Sequence, residues 1–132
     1  MTSEPRNIDR VLASFDDLWH PRIVTRVNDW DVRVAKVRGE YVWHAHADTD
    51  ELFVVLDGAL DIRLRESAGG AESVVRMRRN DVFVVPRGVE HRPVSEGGAT
   101  LMLLEPTGTL TTGDYAGEVP GHITSTTGTP PA

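Results

Sequence analysis

After Pro21 the apolar residues of this chain abandon a helical period and take up that of a β-strand. Leu60, Ile62 and Leu64 alternate strictly with Asp61, Arg63 and Arg65, as a strand with one wet face requires. Leu52-Phe53-Val54-Val55-Leu56 and Val82-Phe83-Val84-Val85 are short apolar runs, and Ile23 to Val27 and Val32 to Val37 are rich in β-branched residues. Val74 to Met77 and Ala99 to Leu104 read as further strands. Gly and Pro cut these runs off at Asp57-Gly58, Ser67-Ala68-Gly69-Gly70-Ala71 and Pro86-Arg87-Gly88. Many short, turn-bounded strands and no internal repeat predict one all-β domain, a sandwich or a barrel. Its core is expected from Leu52, Val54, Leu56, Leu60, Ile62, Leu64 and Phe83. One helical signal precedes it: Ile8, Val11, Leu12 and Phe15 share a face, with Asn7 as N-cap and Asp9 in the first turn. That short helix should lie across the barrel or against a partner.

Chemistry gathers at the strand ends. Tyr41 to His46 reads as the end of a strand, where alternation puts His44 and His46 on one side and Tyr41 and Trp43 on the other. Ala47-Asp48-Thr49-Asp50 breaks the strand, and Glu51 opens the next one on the face of Phe53 and Val55. Pro86 and Gly88 suit a turn that brings His91 back towards the others. Imidazole and carboxylate are ligands for a first-row divalent metal, so His44, His46, Glu51 and His91 form a candidate metal site. This ligand chemistry admits iron, manganese, nickel, cobalt, copper or zinc. His20, before Pro21, and His122 lack such context and read as loop and tail residues.

The segment from Gly39 through His44, His46 and Glu51 to Gly58 resembles the first conserved motif of cupins. Asn80 through Pro86, Gly88 and His91 resembles the second. The resemblance covers roughly residues 20 to 115. Gly39 lies one residue closer to His44 than the usual pattern, Asn80 stands where glycine is common, and Ser95 stands where the family often has asparagine. Asn tolerates the left-handed backbone that glycine would supply. The resemblance implies a double-stranded β-helix, or jelly-roll barrel, carrying one divalent metal ion, and commonly a homodimer paired through N-terminal strands. It allows dioxygenases, isomerases, epimerases, decarboxylases and binding proteins.

The expected organisation is an N-terminal arm with a short helix (1–20), a cupin-like barrel (21–115) and a Thr/Gly/Pro-rich tail (116–132). The tail has too few apolar residues to offset the entropy of ordering it, so it is expected to be mobile. A formal net charge of −6 argues against a nucleic-acid partner. No stretch is apolar enough to span a membrane, and Met1 to Pro5 shows no signal pattern, so a cytoplasmic location is the default expectation. Zero Cys excludes thiolate ligands and a cysteine nucleophile. The leading functional expectation is a metal-dependent enzyme acting on a small molecule. Oxygenase chemistry is favoured over isomerase chemistry, because Val42, Phe53 and Val55 make the surroundings apolar and no basic cluster is present for a phosphate. No catalytic acid or base is identifiable in the sequence. The alternatives are a binding or sensing module without turnover and a metal that only staples the barrel. Exposed Trp43, Tyr41, Trp19 and Trp30 would mark the dimer interface, or else cover the barrel's own core edge.

Overall fold

The computed structural model describes residues 4–130. The extreme ends of the expected arm (1–3) and tail (131–132) lie outside the described residues. Helix α1 (Ile8–Ala13) is followed by six antiparallel strands: β1 (Arg22–Val27), β2 (Trp30–Glu40), β3 (Glu51–Arg65), β4 (Glu72–Arg78), β5 (Val82–Val85) and β6 (Glu90–Pro106). Their order is β1-β2-β6-β3-β4, with β5 pairing the first half of β3. This is the all-β barrel that the sequence predicted, with its short N-terminal helix.

Two strands are longer than the sequence suggested. Asp57-Gly58 reads as a turn, yet β3 runs straight through it as a bulge against β6. The extra residue flips the faces, so the inward set changes from Glu51, Phe53 and Val55 to Leu60 and Ile62. Gly58 sits at φ 79°, and a Cβ there would overlap the backbone of Gly98 and Ala99. Only glycine permits that approach. The flip also corrects the expected core. Phe53, Val55, Leu60 and Ile62 are buried, whereas Leu52, Val54, Leu56, Leu64 and Phe83 are only half-buried.

A second, smaller cluster lies on the barrel's outside. Phe15, Val24 and Val34 are buried there, with Ile8, Val11, Leu12, Leu56 and Met102 packed around them. The helix is too short to persist alone. Its Asn7 cap accepts from the Arg10 amide at 3.0 Å, and burial of its apolar face against β1 and β2 supplies the rest.

The inner face of β2 carries charge. Asp31 and Arg33 are fully buried in phase with Ala35 and Val37. The Arg33 guanidinium donates to Asp31, to Glu105 Oε1 at 2.9 Å, and to the carbonyls of Thr109 at 3.1 Å and Thr127 at 2.7 Å. A buried guanidinium needs acceptors for its five N–H groups, and the chain after β6 provides two, one of them from the C-terminal segment at Thr127.

This explains why residues 116–130, expected to be mobile from their composition, lie along their own barrel. Thr129 forms backbone hydrogen bonds with Ile23 and Pro21, and Ile123 is buried in the main core. Counting apolar residues missed these contacts because most are polar.

Candidate metal centre

His44 and His46 do not belong to a strand. Tyr41 to Asp50 is irregular, fixed by an isolated two-bond bridge in which His44 and His91 exchange backbone hydrogen bonds at 3.1 and 2.8 Å. Two further ties hold the loop. The Asp114 carboxylate accepts from the Ala45 amide at 2.7 Å, and the Gly88 amide donates to the His46 carbonyl at 2.9 Å. Glu51 comes from the first residue of β3, and His91 from β6.

The structure brings all four sequence-predicted residues together in a buried cluster, with one potential ligand atom from each lying within 4.8 Å of the others. Metal bonds of about 2.0–2.2 Å allow ligand atoms on one ion to stand up to roughly 4.4 Å apart, so the set is nearly closed on a common point.

Hydrogen bonding sets the tautomers. His44 Nδ1 lies 2.9 Å from the Val42 carbonyl and His91 Nδ1 lies 3.0 Å from the Val89 carbonyl. A carbonyl only accepts, so each Nδ1 carries the proton and each Nε2 keeps its lone pair. His91 Nε2 then faces Glu51 Oε1 at 3.1 Å, and His46 Nε2 stands 3.4 Å from the same oxygen with no well-aligned hydrogen bond. Acceptors so close in a buried site need a shared cation, and an ion held between them fits better than a proton that serves only one. The residues present therefore fit a metal of the expected kind.

The electrostatics agree. Burial pushes the His44 imidazole down to about 3, helped by repulsion from His91, so it is neutral at ordinary pH as a ligand must be. Burial alone would raise the Glu51 carboxyl, but the His46 and His91 imidazoles facing it outweigh this and hold Glu51 well below its ordinary value.

Glu105 is the residue that sequence reasoning missed. It is buried, ion-paired on one oxygen to Arg33, with its other oxygen lacking a well-aligned partner. Burial and the neighbouring Glu51 charge raise its carboxyl well above the ordinary range. Leu52 pairs with Leu104, so extending the register by one residue sets Glu51 opposite Glu105. Reading Leu101-x-Leu103-x-Glu105 as one inward face would have found it, but the sequence reading ended that strand at Leu104. A second carboxyl able to hold a proton therefore stands beside the cluster.

Two further expectations are corrected. Tyr41 does not point away from the site. It is buried, with its ring 5.2 Å from that of His44 and 4.9 Å from that of Trp19, because strict alternation does not apply in an irregular segment. Trp19 is likewise buried, whereas Trp43 is half-buried beneath the Arg65 guanidinium at 4.1 Å. His20 and His122 stay outside the cluster, held by Asp17 and Thr129 and by the Glu40 carbonyl respectively.

The family model for the cupin domain matches residues 31–107. The chain belongs to the cupin family. It is 44% identical over 69 residues to the uncharacterized protein YdbB of Bacillus subtilis (strain 168), a match covering 52% of this chain and 57% of that protein. A crystal structure of a cupin-2 domain containing protein from Shewanella frigidimarina aligns at TM-score 0.69 and 36% identity, over 76% of this chain and 92% of that one. Hydroquinone 1,2-dioxygenase from Sphingomonas sp. TTNP3, solved with 4-hydroxybenzoate, aligns at TM-score 0.63 over 80% of this cupin and 81% of that chain. At 15% identity that likeness shows the fold alone.

Proposed function

We propose that His44, His46, Glu51 and His91 hold one divalent transition-metal ion, and that this cupin is a metal-dependent enzyme acting on a small molecule by oxygenase-type chemistry. The observation that carries the reading is the pair of Nδ1-to-carbonyl hydrogen bonds, which leave His44 and His91 with free Nε2 lone pairs in the four-residue cluster, that of His91 facing the Glu51 carboxylate. Such an ion supplies Lewis acidity and, if redox-active, electron transfer to dioxygen. The chain's own residues supply the rest. Phe53, Leu101 and Leu103 make the wall beside the site apolar, and Glu105 can hold a proton beside Glu51. Arg87, Glu90 and Arg92, near the turn, pair instead with Asp50, Arg65 and Glu40 on the surface, which speaks against a phosphate-binding role.

The test begins with elemental analysis of protein purified without added metal, followed by calorimetric titration of the chelated protein. One ion per chain is expected in wild type, with binding lost in His46→Ala and His91→Ala. Stoichiometric binding retained in both variants would sink the site. Oxygen uptake by the iron-loaded protein over a panel of small molecules then separates turnover from mere binding.

The reading includes a homodimer. Val82 and Val84, 60% and 43% exposed, lie in register with half-buried Val54 and Leu52 on the outer sheet face. Covering such a stripe with a second copy would remove it from water. Among the described residues no helix is long and apolar enough to cross a membrane. A cytoplasmic location remains part of the proposal, to be checked by cell fractionation.

A further inference from the structure

A cavity of about 40 Å³ (space open to the centre of a water molecule) lies inside the barrel beside the cluster, with His44 and Glu51 in its wall. One water needs about 10–15 Å³ on this measure, so the space suits a few waters or one small molecule. Most of its wall is apolar, from residues such as Trp19, Phe53, Leu101 and Leu103. No lysine or arginine lines it. An anionic ligand would find no cationic side chain there, only the metal's charge, already offset by Glu51 and flanked by Glu105, and a bound metal ion would repel a cationic one.

The metal would take His44 Nε2 and Glu51, which leaves in the wall one carboxyl oxygen of Glu105 without a well-aligned partner. Thr111 is already satisfied, donating to the Thr124 carbonyl and accepting from the Thr126 amide. That leaves the Tyr41 hydroxyl. It is buried and without a well-aligned hydrogen-bond partner, although Thr111 lies beside it. A buried hydroxyl left unpaired is costly, so a group that pairs with it on binding recovers that loss.

The geometry points to an uncharged, hydroxyl-bearing small molecule, an alcohol or phenol no larger than phenol itself, as the occupant of this cavity, with the Tyr41 hydroxyl as its recognition group. The inference rests on the metal reading above, since the same cavity wall carries His44 and Glu51. Trp19 and Phe53 enclose the ligand's apolar body. Its hydroxyl meets the Tyr41 hydroxyl and the unpartnered oxygen of Glu105. The wall at Thr111 belongs to the C-terminal segment, where side-chain clasps replace a strand ladder, and it offers the easiest widening for a ring.

The test uses Trp19 as reporter, in a Trp30→Phe, Trp43→Phe background loaded with redox-inert zinc. Phenol, toluene and benzoate are titrated against its emission. Phenol is expected to quench saturably and to bind several-fold more tightly than toluene, with benzoate weakest. Tyr41→Phe should lower phenol affinity by about 3- to 10-fold while leaving toluene affinity and zinc stoichiometry unchanged. Ala35→Leu, which fills the cavity from another wall, should abolish both phenol and toluene binding. Tighter binding of benzoate, equal binding of phenol and toluene, or an undiminished phenol affinity in Tyr41→Phe would overturn the inference. Failure to bind zinc would sink the metal reading instead, and the phenol series on the metal-free protein still reads the cavity.

Discussion

His44 shows at a single residue how burial makes a ligand. Its imidazole is held down to about 3 in the folded protein, against 6.5 when free. The unfolded chain therefore binds the extra proton first. Stability of the metal-free protein is complete above about pH 6.5 and is lost as pH falls towards 3, by up to about 1.4 kcal/mol per pH unit from this residue. The raised Glu105 carboxyl works in the opposite sense, favouring the fold as pH falls towards its ordinary value near 4.5. Comparing urea midpoints of wild type and His44→Gln between pH 7 and 5 isolates the histidine contribution, and the variant should show the shallower loss. Parallel slopes would contradict it. The four candidate ligands were legible in the sequence because metal chemistry restricts residue type and because turns bracket them. Tyr41 and Glu105 were not. Their roles depend on which way a side chain points, and neither an irregular segment nor a strand carried one residue too short reveals that.

Among the elements, β3 tests the role of its bulge. Gly58→Ala adds a left-handed backbone penalty and an overlap with the Gly98–Ala99 backbone, and should cost about 2–4 kcal/mol. Gly39, at φ 85° with open space where a Cβ would go, is the internal control, and Gly39→Ala should cost only about 1–2 kcal/mol. Urea denaturation measures both, and equal losses would remove the packing argument. Asp-Gly is an ordinary turn signal, so the sequence could not distinguish a hairpin end from a strand that bends and continues. The ligand loop makes a second case. The Asp114 carboxylate holds the Ala45 amide between the two histidines. Asp114→Ala should weaken metal binding by about 10–100-fold in calorimetry while the barrel still folds. Unchanged affinity would show that the His44–His91 bridge suffices.

For the whole molecule, the core is built from Phe53, Val55, Leu60, Ile62, Leu101 and their neighbours rather than from an ion. Each such side chain contributes about 1.5–3 kcal/mol on burial. The chelated protein should therefore keep its β-sheet circular dichroism at room temperature and melt cooperatively, at a midpoint lowered by the lost binding energy. Loss of the signal on chelation would instead favour a structural staple. Replacing Val82 and Val84 with lysine should convert a dimer to a monomer in light scattering without lowering metal content. The barrel class was readable because alternation and turns recur along the chain. The docking of the C-terminal segment was not, since it rests largely on polar contacts, among them those of buried Arg33, which a count of apolar residues does not announce.

Arg33 also bears on the order of events during synthesis. Its guanidinium donates to a carbonyl 94 residues further along, at Thr127. While the ribosome is still making the segment after β6, that guanidinium is short of an acceptor at the centre of the nascent barrel. Strands of such distant pairing close slowly in any case. The final clasp cannot form until residue 127 has emerged, so the nascent barrel should acquire full protease resistance only after that residue has left the ribosome.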